Sequence, residues 1–359
     1  VTDSLLTDSV DRALRELTTP DVLRSAEADG WSADLWGEVS AMGLPGISIE
    51  ERLGGAGGSL ADAIEVLRIA GRYALPLPLA EAGVLGGWLL TQAGIPVDTS
   101  VLTAVPGRPD DDLRLDGDRL SGHAHRVPWA RSATRVVTLM TADQSTSIVV
   151  CDLHEVDVRP MPNLAGEPRD TVIFDQTPAT VVAAPTGLTQ GVFATRGALS
   201  RVALMAGALE RVCEMTIEYT SQRRQFGKPV GSFQAVQQHL VHCAQQSSMV
   251  SLALQAASRA MTAGSGEFEV AAAKTLANQA ATIATRAAHQ AHGAMGMTQE
   301  YGLQHLTRRL WSWREEYGAE RPWSHAIGAG VQRLGADLLY PLITSGSPVF
   351  SGDGVVDRA

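Results

Sequence analysis

Two stretches of the chain gather side chains able to hold a charged, planar ligand. RRQFGKPVGSFQAVQQHL (residues 223–240) closes one helical pattern with Arg223 and Arg224. It then turns through Gln225, Phe226, Gly227 and Pro229, and opens the next helix with Gln234, Gln237 and Gln238. Cations suit the negative end of a helix dipole, so an ordinary capped corner accounts for these residues. The same arginine–aromatic–glutamine cluster can instead bind a phosphate and stack an adenine. HQAHGAMGMTQEYGLQHL (residues 289–306) is punctuated by Gly293 and Gly296, which allow a ligand close approach to the backbone or simply make a tight turn between helices. His289 and His292 are three apart on a helix end, but no carboxylate stands at a matching spacing, and no metal site is expected. His123, His125 and His154 also lack a ligand spacing. No nucleophile elbow, phosphate loop or dinucleotide-binding glycine motif occurs.

These stretches have to be positioned by long helices. Leu199, Val202, Met205, Leu209, Val212, Thr216 and Tyr219 recur every three or four residues, which predicts one helix from about Leu188 to Ser221, about 50 Å long at 1.5 Å per residue. A second helix is expected from about Phe233 to Ala263 and an alanine-rich third from about Glu267 to Ala291. Helices of this length pack as an antiparallel bundle. Upstream the texture differs. LRLDGDRLSGHAHRV alternates around an Asp-Gly turn, a hairpin signal, and TRVVTLM, TSIVVCDL and TVIFDQ are short, β-branched strand candidates. The first hundred residues again read as helices: one stops at Gly43, and another is capped by Ser59 and carries Leu60, Ile64, Leu67 and Ala70 on one face. YALPLPLAEAGV breaks that pattern and restarts a helix of small residues. The expected organisation is α+β: an N-terminal helical domain (1–98), a middle β domain (99–186), a C-terminal helical bundle (187–345) and a loosely ordered tail (346–359).

The 359 residues carry 39 acidic against 29 basic side chains, a net charge of −10, which excludes an electrostatic nucleic-acid binder. Only two of the basic residues are lysines, Lys228 and Lys274. No apolar run of about 18 residues suggests a membrane span, and the acidic, amphipathic start does not resemble a signal peptide. Cys151, Cys213 and Cys243 are widely spaced and read as buried, inert thiols. A soluble, cytoplasmic protein is expected.

Taken together, the motifs carry more than either alone. RRQFGKPVGSFQAVQQHL resembles the signature of the acyl-CoA dehydrogenase family, and QAHGAMGMTQEY resembles that family's second C-terminal signature. LWGEVSAMGLPGISIEERLGGAGGSL is similar to its N-terminal segment, and the helix–β–bundle order matches its fold over essentially the whole chain. The resemblance implies FAD lying between β domain and bundle, with its adenine end held by the neighbouring subunit. Arg223, Gln225 and Phe226 would contact that neighbour's FAD, Gln234 would add a hydrogen bond, and Gln290, Gly293 and Ala294 would flank the pyrophosphate or adenosine. This lending half of the site is complete.

The half that would receive the flavin ring departs from the family. In place of the usual Thr-Glu-Pro and Gly-Ser-Asp stretch the chain reads LTAVPGRPDDD, with Thr103 as the surviving residue. The usual Trp-Ile-Thr reads Arg126-Val127-Pro128, with Trp129 as a substitute stacking partner or a plain core residue. The reaction implied is α,β-desaturation of an acyl-CoA thioester, in which a carboxylate of raised pKa removes the α-proton while the flavin takes a hydride from the β-carbon. One family position for that base falls on Gly197, which cannot serve. The other falls on Tyr317, with Glu316 one residue earlier. Glu316 is therefore the candidate base, with Glu315 and Glu320 behind it; the alternative is a solvated helix end with ordinary acidic residues.

Two assemblies fit this pattern. One is a homomeric FAD-dependent acyl-CoA dehydrogenase, acting on a bulky acyl chain and passing electrons to an electron-transfer flavoprotein. The other is a subunit of a heteromeric α2β2 enzyme, as in actinobacterial relatives that handle steroid side chains, lending adenine-binding elements to a partner that keeps the ring pocket and the base. Either is a dimer of dimers. A third reading, an oxygen-using flavoenzyme on the same fold, has no residue that speaks for it.

Overall fold

A computed structural model describes residues 4–142 and 145–345, so the expected tail at 346–359 lies outside the described residues. The chain opens with α1 (Ser4–Leu17), α2 (Pro20–Asp29) and α3 (Ala33–Ala41), the last followed by Gly43 at φ 72°. Ser59 caps α4 (Leu60–Arg72) in a reciprocal capping box with Asp62, and Ile64, Leu67 and Ala70 are buried on its inner face. The small-residue helix expected after the prolines is a π-helix over Ala80–Gly87, running into α5 (Trp88–Gln92). Its glycines permit it to lie against other backbone: a Cβ on Gly83 would come within 2.2 Å of the Pro45 carbonyl oxygen.

Strands occupy the middle of the chain: β1 (Leu102–Ala104), β2 (Arg114–Asp116), β3 (Arg119–Pro128), β4 (Arg135–Ala142), β5 (Ser145–Asp152), β6 (Asp157–Arg159) and β7 (Arg169–Ala183). They form a seven-stranded sheet in the order β1-β4-β5-β7-β3-β2, with β6 also paired to β7. The Asp-Gly turn joins β2 and β3, where Asp116 pairs with Arg119. β7 is long enough, at 15 residues, to pair with β3 at its start and β5 at its end.

The bundle is α6 (Gln190–Gln222), α7 (Gln234–Thr262), α8 (Glu267–His292), α9 (Leu303–Glu315) and α10 (Glu320–Leu334), followed by the short α11 (Leu339–Ser345). Between α6 and α7 sits a two-residue hairpin, β8 (Arg224–Gln225) with β9 (Lys228–Pro229). Long apolar periodicity fixed the first three bundle helices to within two residues of the sequence expectation. α6 is long and apolar enough to cross a membrane by length and composition, contrary to the sequence reading, yet 83% of its apolar window is buried inside the protein. It crosses α4 in backbone contact: a Cβ on Gly207 would meet the Arg68 carbonyl oxygen at 1.7 Å, and one on Gly71 the Leu204 carbonyl oxygen at 2.0 Å. The three cysteines are free and buried, and burial pushes the Cys151 and Cys243 thiols up to about 12, so they are unreactive as expected.

Candidate functional site

A cavity of about 1270 Å³ lies between the β domain and the bundle. One wall comes from Val105–Asp111, Arg126, Pro128 and Thr138–Thr141. The other comes from Gln190, Ala194 and Arg201, which share one face of α6, and from the turn Arg314–Ala319 between α9 and α10.

Glu316 lies on this cavity as part of a closed ion cluster. Its Oε1 accepts from Arg169 Nε at 2.7 Å, and its Oε2 accepts from Arg201 Nε at 2.6 Å and Arg169 Nη2 at 3.2 Å. Both arginines are almost wholly buried, and each has a further acid: Arg201 bonds Glu81, and Arg169 Nη2 bonds Glu167 Oε2 at 3.0 Å. Burial alone would raise the Glu316 carboxyl, but Arg169 and Arg201 outweigh it and hold it at about 2. The expectation of a desolvated carboxylate with raised pKa therefore does not match this geometry. Glu316 bridges the β domain and α6 as a charge clamp, accepting three hydrogen bonds from two arginines.

The other positions where the family carries a base come together in space, without a free carboxylate. A Cβ on Gly197 would fall 2.2 Å from Tyr317 Cδ1, so the tyrosine ring fills the ground beside the glycine. The ring also packs edge-on to Phe193 and lies 5.2 Å from the Arg201 guanidinium carbon. Tyr317 has φ 52°, an uncommon conformation for a bulky residue. Burial pushes its hydroxyl above the ordinary tyrosine range, so at neutral pH it is a donor and not a base. Glu315 lines the cavity with a side chain 63% exposed. Glu320 pairs with Arg314 at 2.8 Å; burial raises its carboxyl, but the hydrogen bond and charge of Arg314, a backbone hydrogen bond and the charge of Lys274 together outweigh that and lower it.

Two expected ring-pocket residues are not on the cavity. Thr103 is fully buried, and its Oγ1 donates to the Pro128 carbonyl at 2.5 Å. Trp129, at φ 48°, turns inward, is 3% exposed and stacks against the Arg169 guanidinium at 4.7 Å. The core reading of Trp129 is the one this geometry supports.

The expected adenine-end residues lie at the far end of α6. Arg223, Gln225, Phe226, Gln234, Gln290, Gly293 and Ala294 are all exposed. Phe226, at the hairpin tip with φ 52°, is 92% exposed. Tyr219 stacks on His292 with ring centroids 4.6 Å apart, which brings the ends of α6 and α8 side by side. Phe226 packs in a T-shaped contact with Phe233, 6.2 Å between centroids, and its exposed ring beside exposed guanidinium and amide donors fits the adenine nucleotide part of FAD. From Arg201 to Arg223 the helix spans about 33 Å at 1.5 Å per residue, so this corner and the chain's own cavity cannot serve the same end of one cofactor. At the ring end the cavity has room, but neither Trp129 nor Thr103 is there to stack or bond. Among the described residues no cluster of His, Cys, Asp or Glu could hold a metal ion.

Arg169, Arg201, Glu81 and Glu167 were not singled out by the sequence reading. The signal for Arg201 was a lone cation inside the apolar run LSRVALMAG of α6, where an unpaired charge is untenable. The others have no local signature.

The acyl-CoA dehydrogenase N-terminal domain profile matches residues 2–96, and the C-terminal domain profile matches residues 190–320. The chain is 28% identical over 316 residues to acyl-CoA dehydrogenase IpdE2 of Mycolicibacterium smegmatis, covering 85% of this chain and 91% of that one. Among solved structures, it is similar to a chain of the ChsE4–ChsE5 complex from Mycobacterium tuberculosis, with TM-score 0.86, 22% identity and coverage of 94% of this chain and 99% of that one. It also resembles a chain of the Tcur3481–Tcur3483 steroid acyl-CoA dehydrogenase, with TM-score 0.82, 22% identity and coverage of 91% and 96%. On its motifs, its fold and these matches, the chain belongs to the acyl-CoA dehydrogenase family of FAD-dependent oxidoreductases.

Proposed function

We propose that the chain is one subunit of a heteromeric acyl-CoA dehydrogenase, lending its Arg223–Gln234 corner to the FAD of a partner subunit that carries the catalytic base. The carrying observation is the inner wall of its own cavity: Gly197 lies under Tyr317, and Glu316 is locked between two arginines. A general base works best with a pKa near the working pH, and a carboxylate held at about 2 by two guanidinium groups is a weak one. Two of the similar structures are complexes of two named chains, which supports a heteromer.

In the assembly, bound FAD supplies the hydride acceptor for α,β-desaturation of an acyl-CoA thioester. This chain's contribution is binding. Arg223 offers a guanidinium to phosphate oxygens, Phe226 offers an exposed ring face to an adenine, and Gln225, Gln234 and Gln290 offer amide groups. A bulky, steroid-type acyl substrate and an electron-transfer flavoprotein as acceptor belong to the same reading.

The test is purification of the chain together with a companion dehydrogenase subunit. Arg223→Ala in this chain should lower the flavin content of the assembly. Glu315→Gln, which removes the exposed carboxylate of this chain's cavity, should leave turnover within a few-fold of the parent. A drop of more than about 100-fold in turnover with flavin retained would place the base in this chain instead, since removing a general acid or base costs about that much.

A further inference from the structure

Lys274, on α8, is fully buried. Its Nζ donates to Asn278 Oδ1 at 2.7 Å and to the carbonyl oxygens of Arg314 at 2.9 Å, Gly318 at 2.9 Å and Trp313 at 3.3 Å. Three of these oxygens belong to the end of α9 and the turn beyond it, where a helix leaves carbonyls unpaired and its dipole favours a cation. The turn itself is strained, with Tyr317 at φ 52° and Gly318 at φ 98°. Asn278 Nδ2 also donates to the Gly318 carbonyl at 3.3 Å, and Trp323 Nε1 donates to the Tyr317 carbonyl at 2.9 Å. Besides the arginines on the Glu316 carboxylate, the backbone carbonyls of this segment are thus held by a single ammonium group and two neutral donors.

We propose that Lys274 is the positioning residue of the cavity's inner wall, a proton-dependent latch that holds the Glu315–Ala319 turn against Gly197 and lets go when the ammonium loses its proton. An ammonium has three N–H donors to share among four oxygens. A neutral amine has two, and presents a lone pair to the carbonyls. Burial pulls Lys274 down to about 7. Glu316 on the turn opposes that shift, Arg201 on α6 adds to it, and Glu315 and Glu320 oppose it. The latch is therefore closed below neutral pH and opens as pH rises through about 7. This inference does not depend on which subunit holds the flavin. Its failure would leave the half-site reading untouched, because that reading rests on Gly197, Tyr317 and Glu316 with the turn in place.

The experiment uses the full chain labelled with 13C at lysine Cε. With only two lysines, the spectrum holds two resonances, and exposed Lys228 is the internal reference. Hydrogen exchange of the segment 313–320 is followed over the same pH range, corrected for intrinsic rates, with a peptide from the middle of α7 as control. The Lys274 resonance should titrate near 7, and protection of 313–320 should fall at least tenfold through the same range while α7 stays constant. Lys274→Met should show low protection at every pH. Should that variant not fold, the two titrations of the parent chain still decide. A Lys274 resonance that titrates together with Lys228, or one that titrates near 7 without any change in 313–320, would overturn the latch.

Discussion

Glu316 shows how a residue of the right type in the right place can hold a different job from the one its position suggests. Its side chain reaches the cavity, and the acidic run REEYGAE gave no hint of what it would meet there. Arg169 and Arg201 are 147 and 115 residues away in sequence, so the clamp exists only in three dimensions. A clamp and a base respond differently to Glu316→Gln. Loss of a base would lower turnover and leave folding alone. Loss of the clamp leaves two buried arginines short of a counter-charge, and breaking a buried pair costs about 3–5 kcal/mol. The urea midpoint should fall accordingly, and an unchanged midpoint would contradict the clamp. The pH dependence has a definite sign. The folded carboxyl is depressed from 4.5 to about 2, so its contribution is whole above about 4.5 and is lost as pH falls towards 2. In Glu316→Gln this acid-side loss should shrink.

At the scale of elements, the site depends on α6 running close past its neighbours. Arg201 reaches Glu81 on the π-helix and Glu316 beyond α9 from the same helix that touches α4 through Gly207 and Gly71. Gly207→Ala would put a methyl 1.7 Å from the Arg68 carbonyl oxygen, where backbone must move. Overpacking of this kind costs about 1–3 kcal/mol or more. We expect the unfolding free energy from urea titration to fall by that amount, together with weaker protection of Arg201's neighbours in hydrogen exchange; an alanine accepted without loss would mean that the helices have room to part. Much at this scale was legible. The 3.6-residue periodicity of α6, α7 and α8, the capping box at Ser59 and the Asp-Gly hairpin all act locally, and the structure has them where the residues suggest. The π-helix was not legible, because AEAGVLGG has no face large enough to show a period. Trp129 was ambiguous for a similar reason: its inward turn follows from a positive φ that no neighbouring glycine announces.

Across the whole molecule, buried charges join the three parts of the chain. Glu27 on α2 takes His305 Nδ1 at 2.8 Å and Arg308 and Arg309 at 2.6 and 2.8 Å. Arg309 lies 3.2 Å from Glu167, and Glu167 passes through Arg169 to Glu316, Arg201 and Glu81. This chain of pairs runs past the floor of the cavity and commits Glu316, Glu167 and Glu81 to arginines, leaving the exposed Glu315 outside it. The exposed end of the molecule is the opposite: a projecting hairpin with Phe226 at its tip and polar donors around it. A chain with a sealed floor and an open hand is suited to completing a neighbour's site. The most direct test is the visible absorption spectrum of the purified chain alone, after soaking in FAD and desalting, with acyl-CoA desaturation assayed on the same sample. The half-site account predicts flavin well below one per chain and no turnover until a companion subunit is added. One tightly held flavin per chain with turnover in the absence of any companion would contradict it.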